Sequence, residues 1–249
     1  MTEWVSLPCP RPEAAIRLFC LPYAGGGSVE YQQWADLLPA TVEVAPVHLP
    51  GRERRIRQQP YTVMKELVAD LADGLEPYLD RPYALFGYSL GAWVAFEVAR
   101  ELRRRVVYRG FEQPRALLLA AAGPPDLPRD PTTYDLPDPA LVARMERLGG
   151  TDGMIVDDPR LLAVVLPKLR ADLQVADTYT PIEEPALPYP IRAFTGDADG
   201  LVSPEQARAW QWHTDEDFRM RVLPGGHFFM HERRAELLRF IVQDLEIAS

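Results

Sequence analysis

Short, wholly apolar runs alternate along the chain with stretches in which apolar residues recur every three or four positions. Ile16 to Leu21 is such a run and predicts a strand buried on both faces. A glycine loop, Gly25-Gly26-Gly27, and a helix over residues 30–38 come after it, and residues 42–47 predict the next strand. Met64, Leu67, Val68, Leu71 and Leu75 fall on one face of a helix that starts near Val63. Residues 83–87 form the next strand, 90–105 a helix, 115–122 a strand. After a long proline-rich interval come a strand at 191–195, a helix at 204–212, a strand at 218–223 and a final helix carrying Leu238, Ile241, Val242 and Leu245.

Strand–helix units repeated in this way predict an α/β fold with a mostly parallel sheet and helices on both faces. Nothing in the pattern separates two domains, so residues 1–249 are expected to form one. The break in rhythm at residues 124–189 is too long for a plain loop. Leu161, Val164, Val165 and Leu169 suggest one apolar helix face within it. This segment is expected to be a lid inserted over the carboxyl ends of the strands, where such sheets place their sites.

Composition narrows the function classes. The 47% hydrophobic and 25% charged residues are ordinary for a globular chain, and the 25 prolines fall at element edges, predicting stiff loops rather than disorder. A formal net charge of −9 argues against nucleic acid or an anionic membrane as partner. Cys9 and Cys20 make no disulfide framework, and Cys20 lies in a strand as a buried thiol. The start of the chain lacks a basic, apolar leader, so a cytoplasmic protein is the expectation, and a monomer is the default because no exposed heptad or interface stripe appears.

Gly87-Tyr88-Ser89-Leu90-Gly91 matches the G-x-S-x-G elbow, and it sits between a predicted strand and a predicted helix, as the motif requires. Ser89 is therefore the candidate nucleophile of an α/β-hydrolase fold. Of His48, His213, His227 and His231, only His227 stands on a loop after a late strand and before the last helix, the place of the base. His231 is its nearest rival. His227 and His231 also have metal-ligand spacing, but no third ligand accompanies them. In Gly196-Asp197-Ala198-Asp199-Gly200 the preferred acid is Asp199, with Asp197 a close alternative and Asp126 a third candidate one strand earlier. The chain order Ser89, Asp199, His227 is the one this fold uses. The oxyanion hole needs two backbone N–H groups. Leu90 is expected to supply one and Ala24 (or Tyr23) the other. The glycine loop lacks the Lys-Ser/Thr ending of a phosphate-binding loop.

Three further segments bring the chain close to one family. Residues 19–28 (FCLPYAGGGS), residues 49–55 (LPGRERR) and residues 166–173 (LPKLRADL), together with Gly225-Gly226-His227-Phe228, resemble the stand-alone type II thioesterases of polyketide and nonribosomal peptide synthesis. The resemblance covers nearly the whole chain. It implies hydrolysis of acyl groups from the phosphopantetheine thiol of acyl or peptidyl carrier proteins, with Ser89, Asp199 and His227 as the triad and no cofactor. Arg52, Arg54, Arg55 and Arg57, beyond the end of a strand, are expected near the entrance, some meeting the carrier or the pantetheine phosphate. Arg103, Arg104 and Arg105 are read as complementing the end of their helix dipole. A carboxylesterase or lipase acting on free esters, and a carrier-binding protein without catalysis, remain the alternatives.

Overall fold

The computed structural model describes residues 3–109, 112–128, 132–149 and 158–247. Six strands, β1 (Ile16–Leu21), β2 (Val42–Pro46), β3 (Tyr83–Tyr88), β4 (Ala116–Ala120), β5 (Ile191–Gly196) and β6 (Phe218–Leu223), pair side by side in the order β2-β1-β3-β4-β5-β6. Every pairing is parallel. All residues of β1 to β5 are buried, which explains why these strands read as unbroken apolar runs rather than alternating ones. The edge strand β6 is partly open on its outer side.

Alternate residues of each strand feed two cores. Leu18 and Cys20 join Phe86 and Leu118 against α1 (Val29–Gln32), α2 (Trp34–Leu37) and residues of the final helix. Phe19 and Leu21 join Leu85, Leu117 and Leu119 beneath α3 (Met64–Leu75) and α4 (Leu90–Arg109). Met64, Leu67, Val68, Leu71 and Leu75 are all buried, as their spacing predicts. Cys20 is a fully buried free thiol whose pKa burial pushes up.

Several boundaries differ from expectation. The helix expected at 30–38 is two single turns, α1 and α2. Strand β4 stops at Ala120, because Ala121 turns the chain out of the sheet at φ +53°. Helix α4 continues to Arg109, so Arg103, Arg104 and Arg105 do not end it. They form ion pairs with Glu184, Glu101, Asp73 and Glu76 instead.

Between β4 and β5 the chain leaves the sheet to build α5 (Asp138–Leu148) and α6 (Pro159–Thr178). Residues 129–131 and 150–157 of the expected lid lie outside the described residues. Helix α5 ends on Gly149 in the left-handed conformation, φ +75°, which glycine takes without steric cost. Helix α6 is capped at its start by Asp158, whose carboxylate accepts the Arg160 N–H. The two helices share a small core of Leu141, Leu166 and Leu169, with Met145, Leu162 and Leu173 around it. The expected apolar face of α6 holds only in part: Leu169 is buried and Val165 half-buried. Leu161 and Val164 are 44% and 58% exposed. The pairs Leu161-Leu162 and Val164-Val165 offer apolar residues on both sides of the helix, so periodicity alone could not choose between them. Beyond β5 stands the short α7 (Pro204–Arg208), and beyond β6 a single turn, α8 (Phe229–Glu232), leads into the final helix α9 (Arg234–Ile247).

Candidate active site

Strand β3 delivers the chain into the elbow. Ser89 has φ +53°, a strained left-handed conformation for a residue with a side chain. The turn is tight enough to dictate its glycines. A Cβ on Gly87 would lie 2.1 Å from the Gly91 carbonyl oxygen, and one on Gly91 would lie 2.3 Å from that of Leu21. The Ser89 N–H is consumed by the Ala120 carbonyl at 2.8 Å. Leu90, the first residue of α4, is then the nearest backbone donor beyond the nucleophile.

The loop after β6 carries His227, which is buried. Its Nε2 is 3.1 Å from Ser89 Oγ, and its Nδ1 is 2.9 and 3.1 Å from the two carboxylate oxygens of Asp199. The Asp199 side chain is fully buried, and it also accepts the Leu201 and Val202 N–H groups at 2.8 and 3.2 Å. These backbone donors fix the carboxylate where Nδ1 meets it. A hydroxyl, an imidazole and a carboxylate therefore stand in one hydrogen-bonded line, the arrangement that a serine nucleophile, its base and an orienting acid require.

The other candidates are placed elsewhere. Asp197 accepts the Gly225 N–H at 2.9 Å, so it shapes the histidine loop from the backbone, while the imidazole meets Asp199. Asp126 faces His213 at 3.1 Å. His231 lies in α8, 3.5 Å from Glu30. His227 and His231 thus point to different partners and do not converge as ligands.

His48 makes a second Ser-His-acid line, with Nε2 at 2.8 Å from Ser6 Oγ and Nδ1 at 3.1 Å from Glu53 Oε2. Ser6 is on no strained elbow, and its own N–H is held by the Pro46 carbonyl. These contacts pin the start of the chain to β2.

Ser89, His227, Leu90 and Ala24 all line a cavity of about 390 Å³. Its walls are mainly apolar: Trp93 from α4, Leu141, Met145 and Leu148 from α5, Leu173 and Ala176 from α6. Space of this size and polarity takes a small organic group. Among the described residues, neither the Ala24 nor the Leu90 backbone N–H donates to a protein acceptor. Both are thus available to a developing negative charge beside Ser89.

Of the four arginines after β2, Arg52, Arg54 and Arg55 bond within the chain, whereas Arg57 is exposed. Arg52 and Arg55 are buried, Arg52 on Asp172 and Arg55 over the Trp4 ring at 3.9 Å with a bond to the His48 carbonyl. Arg54 donates to the Glu3 and Val5 carbonyls. A guanidinium offers five donors, and here groups of the same chain take up some of them on each of the three. Sequence reasoning also passed over Tyr88, the variable residue of the elbow. Its hydroxyl donates to the His227 carbonyl at 2.5 Å and so ties the nucleophile's turn to the histidine loop.

Fold and site together define an α/β-hydrolase of the serine type. A thioesterase-domain family model matches residues 16–245, and the chain belongs to that family. It is 33% identical to the gramicidin S biosynthesis protein GrsT of Aneurinibacillus migulanus, over 94% of this chain and 90% of that protein. Among solved structures it superposes on the RedJ thioesterase of the prodiginine pathway in Streptomyces coelicolor with a TM-score of 0.87 and 39% identity, covering 93% and 91% of the two chains. The type II thioesterase BorB of the borrelidin biosynthetic cluster matches with a TM-score of 0.86 and 37% identity, over 96% of each.

Proposed function

We propose that this thioesterase hydrolyses acyl groups from the phosphopantetheine thiol of carrier proteins, clearing stalled or wrongly loaded chains in polyketide or nonribosomal peptide synthesis. The line Ser89–His227–Asp199 at the mouth of an apolar cavity is the observation that carries the reading. Ser89 attacks the thioester carbonyl while His227 takes its proton, and Asp199 stabilises the imidazolium. The backbone N–H groups of Ala24 and Leu90 hold the oxyanion. The tetrahedral intermediate collapses with loss of the thiolate, which receives the proton from His227. A thiol of pKa about 8.5 is a far better leaving group than an alcohol or an amine. Water, deprotonated by His227, then attacks the acyl-serine, releasing the carboxylic acid and restoring Ser89. The side chains present suffice for this chemistry.

The insertion between β4 and β5 serves as the lid: α5 and α6 bring Leu141, Met145, Leu148, Leu173 and Ala176 to the apolar wall around the acyl group. The partner is an acylated carrier; among the described residues no helix is long and apolar enough to cross a membrane. The test is a carrier loaded with acetyl or a longer acyl group, monitored by intact mass. Loss of the acyl mass with the wild type but not with Ser89→Ala supports the reading. Retention with both, beside rapid cleavage of simple esters, refutes it in favour of an esterase.

A further inference from the structure

The three segments that mark this sequence beyond its elbow lie far apart in the chain and meet at one point. Asp172, on α6, is buried, and its Oδ2 accepts the Gly25 N–H at 2.7 Å. Arg52, also buried, grips the same carboxylate with two bonds, 2.8 and 2.7 Å, and gives Nη1 to the Gly26 carbonyl at 2.7 Å as well. Next to Arg52, Glu53 accepts the Ser28 and Val29 N–H groups at 2.8 and 3.2 Å. The glycine loop is thereby clamped at successive peptide units.

We propose that Arg52 and Asp172 are positioning residues for the oxyanion hole, so that the lid helix α6 itself holds the loop that stabilises the transition state. The inference rests on the reading of Ala24 as an oxyanion donor. In a trans peptide the C=O and N–H point in opposite directions. The Tyr23 carbonyl is tied back by the Gly26 N–H at 2.9 Å, which turns the Ala24 N–H of the same peptide outward. That tie holds only while Gly26 stays in place, and Arg52 fixes Gly26 through its carbonyl. Gly25 sits at φ +77°, and a Cβ there would be 3.1 Å from Leu169 of α6, so helix and loop are in direct contact. Ala24 packs against the core shared by α5 and α6.

A buried ion pair is a weak source of stability compared with apolar residues of the same size. What a bidentate pair does supply is fixed geometry. When α6 lifts away, Gly25 loses its acceptor and Arg52 loses the carboxylate that orients it.

Two variants test this. Asp172→Asn leaves an amide that cannot accept from both Gly25 and Arg52 without setting donor against donor. Arg52→Met/Asp172→Val removes both charges and leaves no unpaired ion, so it separates the loss of the clamp from the cost of a buried lone charge. Each is assayed with an acyl-N-acetylcysteamine thioester for kcat and KM, with an alkylboronic acid that forms a tetrahedral adduct on serine, and by thermal melting. The expected result is a kcat lower by about 10–100-fold, short of complete loss of an oxyanion donor. KM stays within about threefold, and boronate affinity falls in step with kcat/KM. A folded double variant with kcat within about threefold of wild type, or a loss confined to KM, overturns the proposal. A wild type that cleaves the small thioester but leaves acyl-carrier intact refutes the proposed function and leaves this inference standing on its own result.

Discussion

Asp199→Asn exchanges a single side-chain oxygen for an NH₂ group, and the surrounding donors dictate which way the amide turns. Asp199 Oδ1 accepts the Leu201 and Val202 N–H groups, so an Asn keeps its oxygen there and turns its NH₂ toward His227. A donor now faces Nδ1, where a carboxylate oxygen stood at 2.9 Å. Nδ1 must then carry a lone pair, and the proton moves to Nε2, which lies 3.1 Å from Ser89 Oγ. The imidazole can no longer accept the serine proton. Loss of the right tautomer in such a triad costs about 10⁴ in kcat, or about 5.4 kcal/mol of barrier. Asp197→Asn is the paired control. Its side-chain oxygen still accepts the Gly225 N–H, and kcat stays within about threefold because the imidazole is untouched. Thiol release from a simple acyl thioester at pH 7 measures both, with melting curves to show that each variant is folded. Should Asp197→Asn lose the large factor while Asp199→Asn stays within about tenfold, the relay as drawn is wrong.

Gly91→Ala places a methyl 2.3 Å from the Leu21 carbonyl oxygen and 2.7 Å from that of Pro22. Backbone cannot yield as a side chain does, so a loss of at least about 2 kcal/mol is expected in urea unfolding, along with loss of activity. Glu53 has its pKa lowered to about 2: burial works to raise it, and hydrogen bonds from His48, Ser28 and Val29 overcome that effect. Its contribution is present above the ordinary carboxylate pKa of 4.5 and disappears as pH falls through about 2. Solvent screening at this half-buried group leaves on the order of 1–2 kcal/mol, so Glu53→Gln should flatten the acid limb of stability against pH by that amount. Met145→Trp fills the α5 side of the cavity. Each methylene excluded forfeits about 0.8 kcal/mol, so turnover of long acyl thioesters should fall at least about tenfold relative to acetyl; equal losses for both would place the acyl chain elsewhere.

The strand–helix alternation, the elbow at Ser89 and the loops that carry Asp199 and His227 are legible in the linear chain. Each of these is written locally, in unbroken apolar runs and in glycines that a tight turn demands. Features that depend on residues distant in the chain emerge only on folding. Asp197 and Asp199 are two positions apart on one loop, and only the packing of that loop against the Pro224-Gly225-Gly226 turn gives the backbone to one and the imidazole to the other. The arginines of residues 52–57 look in sequence like a basic patch for a partner. In the folded chain Arg52, Arg54 and Arg55 are consumed by carboxylate, carbonyl and ring contacts from elements that no spacing rule connects to them. The pattern in sequence pointed to a face of α6 that includes Leu161 and Val164, whereas contact with α5 and the glycine loop turns Leu166 and Leu169 inward. Local chemistry names the reacting groups, whereas the three-dimensional packing assigns their partners.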